Sequence, residues 1–173
     1  MKTLALIALV GYAVSTSALT IKFKQVHIQY VDSISRAAVW PAVGKASNGQ
    51  PDPSIKFSKK LDPSQSASFG VDDHTLGIRV WGRTGCDANS ANCKTGACNG
   101  GLVCNNAGIT SPWDLSRIDA SINIDTQLSS SDGQTVVCRA SNCPANQAYN
   151  SPIDYAADRN SPLGQTFTHT FCP

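Results

Sequence analysis

Apolar and polar residues alternate with period two along much of the chain. In "LTIKFKQVHIQYV", Ile21 and Phe23 alternate with Lys22 and Lys24; the phase then moves to Val26, Ile28 and Tyr30. Period two indicates a strand, and the phase change indicates a bulge or two short strands. "AAVWPAV" around Trp40 predicts another short strand, with Pro41 placing it at an edge or an end because proline cannot donate to a ladder. The strongest pattern in the middle of the chain is "HTLGIRVWGRTGC", where Ile78 and Val80 alternate with Arg79 and Trp81. Further strands are predicted around Ile118, Ile122, Ile124 and Leu128, in "QTVVC", and in "GQTFTHTFCP", which sets Phe167 and Phe171 on one side.

Between these runs lie turn signals. Residues 44–54 read as a loop, "IKFSKKL" carries Ile55, Phe57 and Leu61 between lysines, and turns are predicted at Asp62-Pro63 and Asp132-Gly133. No helical period of useful length and no internal repeat is present. Many short strands separated by turns predict an all-β sandwich or barrel of antiparallel strands. Composition agrees: the acidic residues are twelve aspartates with no glutamate, beside thirteen glycines and nine prolines. Aspartate favours caps and turns over helix interiors.

The N-terminus adds a compartment. Lys2 precedes an apolar run from Leu4 to Val14, and Thr16-Ser17-Ala18 supplies small residues for cleavage. This is the pattern of a secretory signal peptide, and the run is shorter than the ~20 apolar residues of a membrane span. Residues 1–18 are therefore expected to be removed. Residues 19–173, about 155 of them, form one domain of a size that supports a core. Without Lys2 the formal charge of +2 falls to +1. No basic run is longer than the scatter of Lys56, Lys59 and Lys60, so no nucleic-acid footprint is present.

Secretion decides how the cysteines read. Four of the seven lie in "WGRTGCDANSANCKTGACNGGLVCNN", spaced Cys86-x6-Cys93-x4-Cys98-x5-Cys104. No C-x-x-C pair occurs, and His27, His74 and His169 lie far off in sequence, so disulfides are expected rather than a metal or redox site, and no cofactor.

The same stretch resembles a known family. "WGRTGC" followed by "CKTGACNGGLVC" is similar to the signature of thaumatin-like proteins, and "VWPAV", "NCPANQAYNSPIDYAADRN" and "FTHTFCP" follow the family's order. The resemblance spans nearly the whole mature chain and implies a thaumatin-like β-sandwich with disulfide-tied loops. It implies local bridges Cys86–Cys93 and Cys98–Cys104. Cys138 and Cys143 are open to bridging each other, with Cys172 as an alternative partner for either. The family's usual partner for the last cysteine corresponds to Ser35, so Cys172 is expected to be unpaired, either as a buried inert thiol or in an intermolecular bridge. Only "TQLSSSDGQTVVCRASN" occupies the place of the family's second domain, as in its small type.

The family includes pathogenesis-related, antifungal proteins. Some bind β-1,3-glucan and a few hydrolyse it, through an acidic cleft of one arginine, one glutamate and three aspartates. Carried over residue by residue, Arg117 stands where the glutamate belongs, Asp119 and Asp125 are one residue out of register, and Ala145 replaces the last aspartate. Hydrolysis needs two carboxyl groups flanking the bond. Asp119 and Asp125 are the weak candidates for that role, whereas Asp114 reads as solvated or capping a turn.

No G-x-S-x-G elbow is present, and His169 reads as a structural imidazole. Trp40 and Trp81 lie on apolar strands and are assigned to the core. Trp113, in the polar "SPWDLS", is the candidate for an exposed sugar contact, with Asp114 and Arg117 beside it. No N-x-S/T sequon occurs. The sequence thus predicts a secreted monomer that acts by binding in defence, stress or host interaction, on β-1,3-glucan or on a secreted protein, with no membrane contact in the mature form. The alternatives are an endo-β-1,3-glucanase with a degenerate cleft and an inhibitor of secreted hydrolases, for which the 44–54 and 86–104 loops are available.

Overall fold

The structure is a computed structural model. It describes residues 18–25, 38–47, 50–51, 54–55, 57–96, 106–109, 112–118, 122–139 and 142–173. The expected signal segment up to residue 17, Ser35, Asp119 and the Cys98–Cys104 bridge lie outside the described residues.

Among the described residues, eleven strands and one short helix occur in the order β1 Ala18–Gln25, β2 Val39–Ser47, β3 Gln50–Pro51, β4 Phe57–Ser58, β5 Ser66–Asp72, β6 Ile78–Thr84, β7 Asn106–Ile109, β8 Asp114–Ser116, β9 Thr126–Ser130, β10 Thr135–Cys138, a 3₁₀ turn Tyr155–Ala157, and β11 Thr166–Phe171. They make two sheets, β10-β9-β11-β1-β5 and β3-β2-β6-β7-β8, with β4 also on β2. The chain is all-β, as its alternation predicts.

One pair departs from the antiparallel expectation. β1 and β11 run parallel, Ile21 opposite Phe167 and Phe23 opposite His169. A parallel pair needs a long crossover, and here nearly the whole chain supplies it, since the first and last strands are neighbours.

The inward residues of both sheets close on one core. Ile21, Phe23, Leu128, Val136, Phe167 and Phe171 meet Val39, Val43, Ile78, Val80 and Leu115, all buried. The rings interlock: Phe23 stacks on Phe57 at 5.3 Å and on Phe171 at 6.4 Å, and Phe57 packs on Phe69 at 5.6 Å. Offset and tilted pairs of this kind add to the stabilisation from buried area. His169 is buried beside Phe171 at 4.4 Å, with its Nε2 bonded to the Thr126 hydroxyl.

Three strand-level expectations are corrected. Residues 44–47 and 50–51 continue β2 and form β3, with Ala46 opposite Pro51 and Ser47 opposite Gln50, where a loop was expected. Asn-Gly at 48–49 is a favoured sequence for a two-residue hairpin connection. Pro41 lies inside β2 rather than at an end or on an edge strand, paired with Gly82 of β6. It is tolerated because its missing donor faces the thin side of the strand: Lys59 donates to the Pro41 carbonyl, and beyond it lies only an isolated bridge, Val39 to Leu61. Finally, Ile122 and Ile124 are buried, but outside any strand.

Among the described residues two bridges are formed, Cys86–Cys93 and Cys138–Cys143. Cys172 is free and buried, with burial pushing its thiol pKa up. The first bridge closes a loop that Asp87 also holds: its Oδ1 accepts from the amides of Asn89 and Ala91, both at 2.9 Å. Arg83 ties that loop to the sheet by donating to the Ser90 carbonyl at 2.8 Å and to the Trp40 carbonyl at 3.3 Å.

Candidate functional site

Trp113 is fully buried, so the expectation of an exposed sugar contact is overturned. It points inward, edge-on to Phe167 at 5.5 Å, and its indole N–H donates to Ser161 Oγ at 2.8 Å. A large aromatic with its one donor satisfied belongs in a core, whatever the polarity of its chain neighbours. The other two tryptophans sit on the opposite face of the second sheet. Trp81 is buried there against Ala42, its Nε1 lacking a partner among the described residues. Trp40 is half-buried, with the Lys60 ammonium 5.9 Å from its ring centre, so its assignment to the core is also corrected.

That outer face brings charged groups together. Arg79 on β6 is opposite Gly44 on β2 and Gly108 on β7, and Gly108 is opposite Asp114 on β8. Antiparallel partners share a face, so Arg79 and Asp114 lie two strand spacings apart, roughly 10 Å, with only a glycine between them. The register thus leaves the arginine side chain a clear path toward the carboxyl.

The chain's C-terminal segment closes the other side of β8. Trp113 exchanges both backbone hydrogen bonds with Arg159, at 2.8 and 2.9 Å. Asp158, the residue before Arg159, comes within electrostatic reach of Asp114. Two steps on, Tyr149 donates to the Leu115 carbonyl and accepts from the Arg117 amide, both at 2.9 Å. The Tyr149 phenol also interacts with the Asp158 side chain.

Asp114 is consequently unlike an ordinary surface carboxylate. Burial first, and the charge of Asp158 second, raise its pKa to about 6; Arg79 acts in the opposite direction. Desolvation and a like charge both penalise the ionised form. Tyr149 is pushed up to about 12, by burial first and then by its interaction with Asp158. The face therefore holds one carboxyl that exchanges its proton near pH 6, a second carboxyl beside it, a phenol that stays protonated and a guanidinium. Such a set can accept and donate hydrogen bonds to a polyhydroxylated ligand, or pass a proton to one. The reading of Asp114 as a solvated or turn residue is corrected.

The other sequence candidates lie elsewhere. Asp125 immediately precedes β9 in the first sheet; its carboxylate is 3.4 Å from the Arg139 guanidinium, and its carbonyl accepts from the Cys172 amide. Arg117 follows β8, half-buried. No group of three or more His, Cys, Asp or Glu side chains able to hold a metal occurs among the described residues. No helix among them is long and apolar enough to cross a membrane. Asp158 and Tyr149 carry no sequence signal for this site, because long-range backbone pairing brings them to β8: the Trp113–Arg159 bridge for Asp158, and the bonds to Leu115 and Arg117 for Tyr149. Arg79 was visible as an outward residue of β6, without its partner.

Comparison with known proteins agrees with this architecture. The Thaumatin family model matches residues 34–173. The chain is 34% identical over 152 residues to thaumatin-like pathogenesis-related protein 4 of Avena sativa, covering 78% of this chain and 80% of that protein. It is 32% identical over 154 residues to pathogenesis-related protein 1A/1B of Hordeum vulgare, covering 79% and 83%. With a thaumatin-like protein of Oryza sativa subsp. japonica the identity is 33% over 151 residues, covering 78% of each. By its fold, its disulfide-tied loop and these matches, the chain belongs to the thaumatin family.

Proposed function

We propose that this is a secreted, defence-type thaumatin-like protein that binds cell-wall β-1,3-glucan through the outer-face cluster of Arg79, Asp114, Asp158 and Tyr149. One observation carries the reading. Asp114 is held where ionisation is disfavoured, beside a second carboxyl, although a neutral residue would suit the fold better there. Perturbed groups clustered at one place are a mark of functional sites. Pathogenesis-related relatives supply the defence role, and the N-terminal leader pattern supports secretion.

The test is co-sedimentation of the purified mature protein with insoluble β-1,3-glucan, with released sugar followed in the same tubes. Protein in the pellet without sugar release is the expected result; protein left in the supernatant would sink the proposal. A hydrolase reading has one specific support, the carboxyl titrating near pH 6 next to another, which is how glycosidases keep an acid protonated. It predicts soluble oligosaccharides that vanish in Asp114→Asn.

A further inference from the structure

The segment that delivers Asp158 also carries two tyrosine rings. Tyr155 is 68% exposed, and its ring meets Tyr149 edge-to-face at 6.4 Å and 88°. Single exposed apolar residues need no explanation. This one differs in its support and in its neighbours.

The support is a tightly bonded loop. The Arg159 guanidinium donates to the carbonyls of Ala156, Asp158 and Asn146 at 3.0, 2.9 and 2.8 Å. Asp154 Oδ2 accepts from the amides of Asn150 and Ser151 at 2.8 and 2.9 Å. Asn150 Nδ2 reaches the carbonyls of Cys143 and Ala148 at 3.0 and 3.2 Å. An aromatic ring held out to solvent on such a loop has little freedom left to lose when something binds to it.

The neighbours are the hydrogen-bonding groups of the outer-face cluster. Tyr149 joins the two halves, with its ring packed edge-to-face on Tyr155 and its phenol interacting with Asp158.

We propose that Tyr155, backed by Tyr149, is an aromatic platform that seats one pyranose ring of a neutral polysaccharide, whose hydroxyls are taken by Asp158 and Asp114; this rests on the glucan reading of that cluster. A pyranose ring offers C–H groups on its faces and hydroxyls around its rim. It therefore suits a site with an apolar ring beside polar groups. A cationic ligand could also use a tyrosine and two carboxylates, but Arg79 in the same row opposes it.

The test is retention on insoluble β-1,3-glucan, with a chitosan resin run in parallel as the cationic polymer. Tyr155→Ala is expected to weaken glucan retention about five- to tenfold, the scale of one lost aromatic contact, with the melting temperature unchanged. Tyr155→Phe, which keeps the ring, is expected to bring retention back close to that of the parent. Unchanged retention in Tyr155→Ala alongside a loss in Asp114→Asn would overturn the platform and leave the glucan site standing. Loss in neither variant, or no retention of the parent, would overturn both. Stronger retention on chitosan than on glucan would overturn the neutral-sugar assignment.

Discussion

Gly82 of β6 faces Phe171 of β11 across the gap between the sheets. A Cβ added at Gly82 would lie 2.6 Å from the Phe171 ring edge and 3.2 Å from Ile124. The phenylalanine is itself wedged between His169 and Phe23, so it cannot retreat without moving two more rings. Gly82→Ala is therefore expected to destabilise the fold by roughly 1–3 kcal/mol, the usual cost of overpacking. Urea unfolding measures it, and an unchanged midpoint would show that the sheets are not in contact at this point.

Trp113 gives a larger effect. It is completely buried and bridges β8 to the opposite sheet through Phe167. Trp113→Ala should cost about 3–5 kcal/mol. Ser161→Ala, which leaves the indole N–H unpaired in the interior, should cost about 1–3 kcal/mol. A surface tryptophan would show neither loss.

His169 and Asp114 impose opposite pH dependences. Burial drops the His169 pKa to about 3, whereas the unfolded imidazole titrates near 6.5. Between those values the unfolded chain binds the extra proton, so His169 lowers stability as pH falls from about 6.5, by at most ~1.4 kcal/mol per unit. The raised Asp114 pKa means that the folded chain binds the extra proton between about 4 and 6. Its ionisation thus removes stability as pH rises through that window. His169→Phe should flatten the acid limb of the stability profile. Asp114→Asn should raise stability above pH 6, by up to about 3 kcal/mol, and change little at pH 4. Chemical denaturation of both variants across pH 3–8 checks the two signs.

The Cys172 thiol should resist alkylation in the native protein and react once the chain is unfolded, because it is buried and its pKa is raised. Mass spectrometry of the C-terminal peptide reads this directly. Rapid native labelling, or a disulfide-linked dimer, would contradict the burial.

What the sequence revealed and what it hid have physical reasons. Strands with one face in the core write their alternation into the chain, as Ile21 and Phe23, Ile78 and Val80, and Phe167 and Phe171 show. The Cys86–Cys93 bridge was legible through the family signature around it. Trp113 was misread because β8 is only three residues long and bounded by Asp and Ser, so local polarity outweighed a burial that Phe167 and Ser161 supply from about fifty residues away. Asp158 and Tyr149 reach the site through long-range backbone bonds that no local pattern records. Family correspondence put Arg117 in the acidic position, whereas strand register puts the outward carboxyl at Asp114.

Under the proposed function, Asp114 serves a ligand at some expense to the fold. The most direct measurement compares the parent protein with Asp114→Asn for retention on insoluble β-1,3-glucan at pH 7, with melting temperatures taken on the same samples. The Asp114→Asn variant is expected to be more stable and to bind glucan much more weakly than the parent. Equal retention, or a weaker fold together with weaker binding, would contradict it.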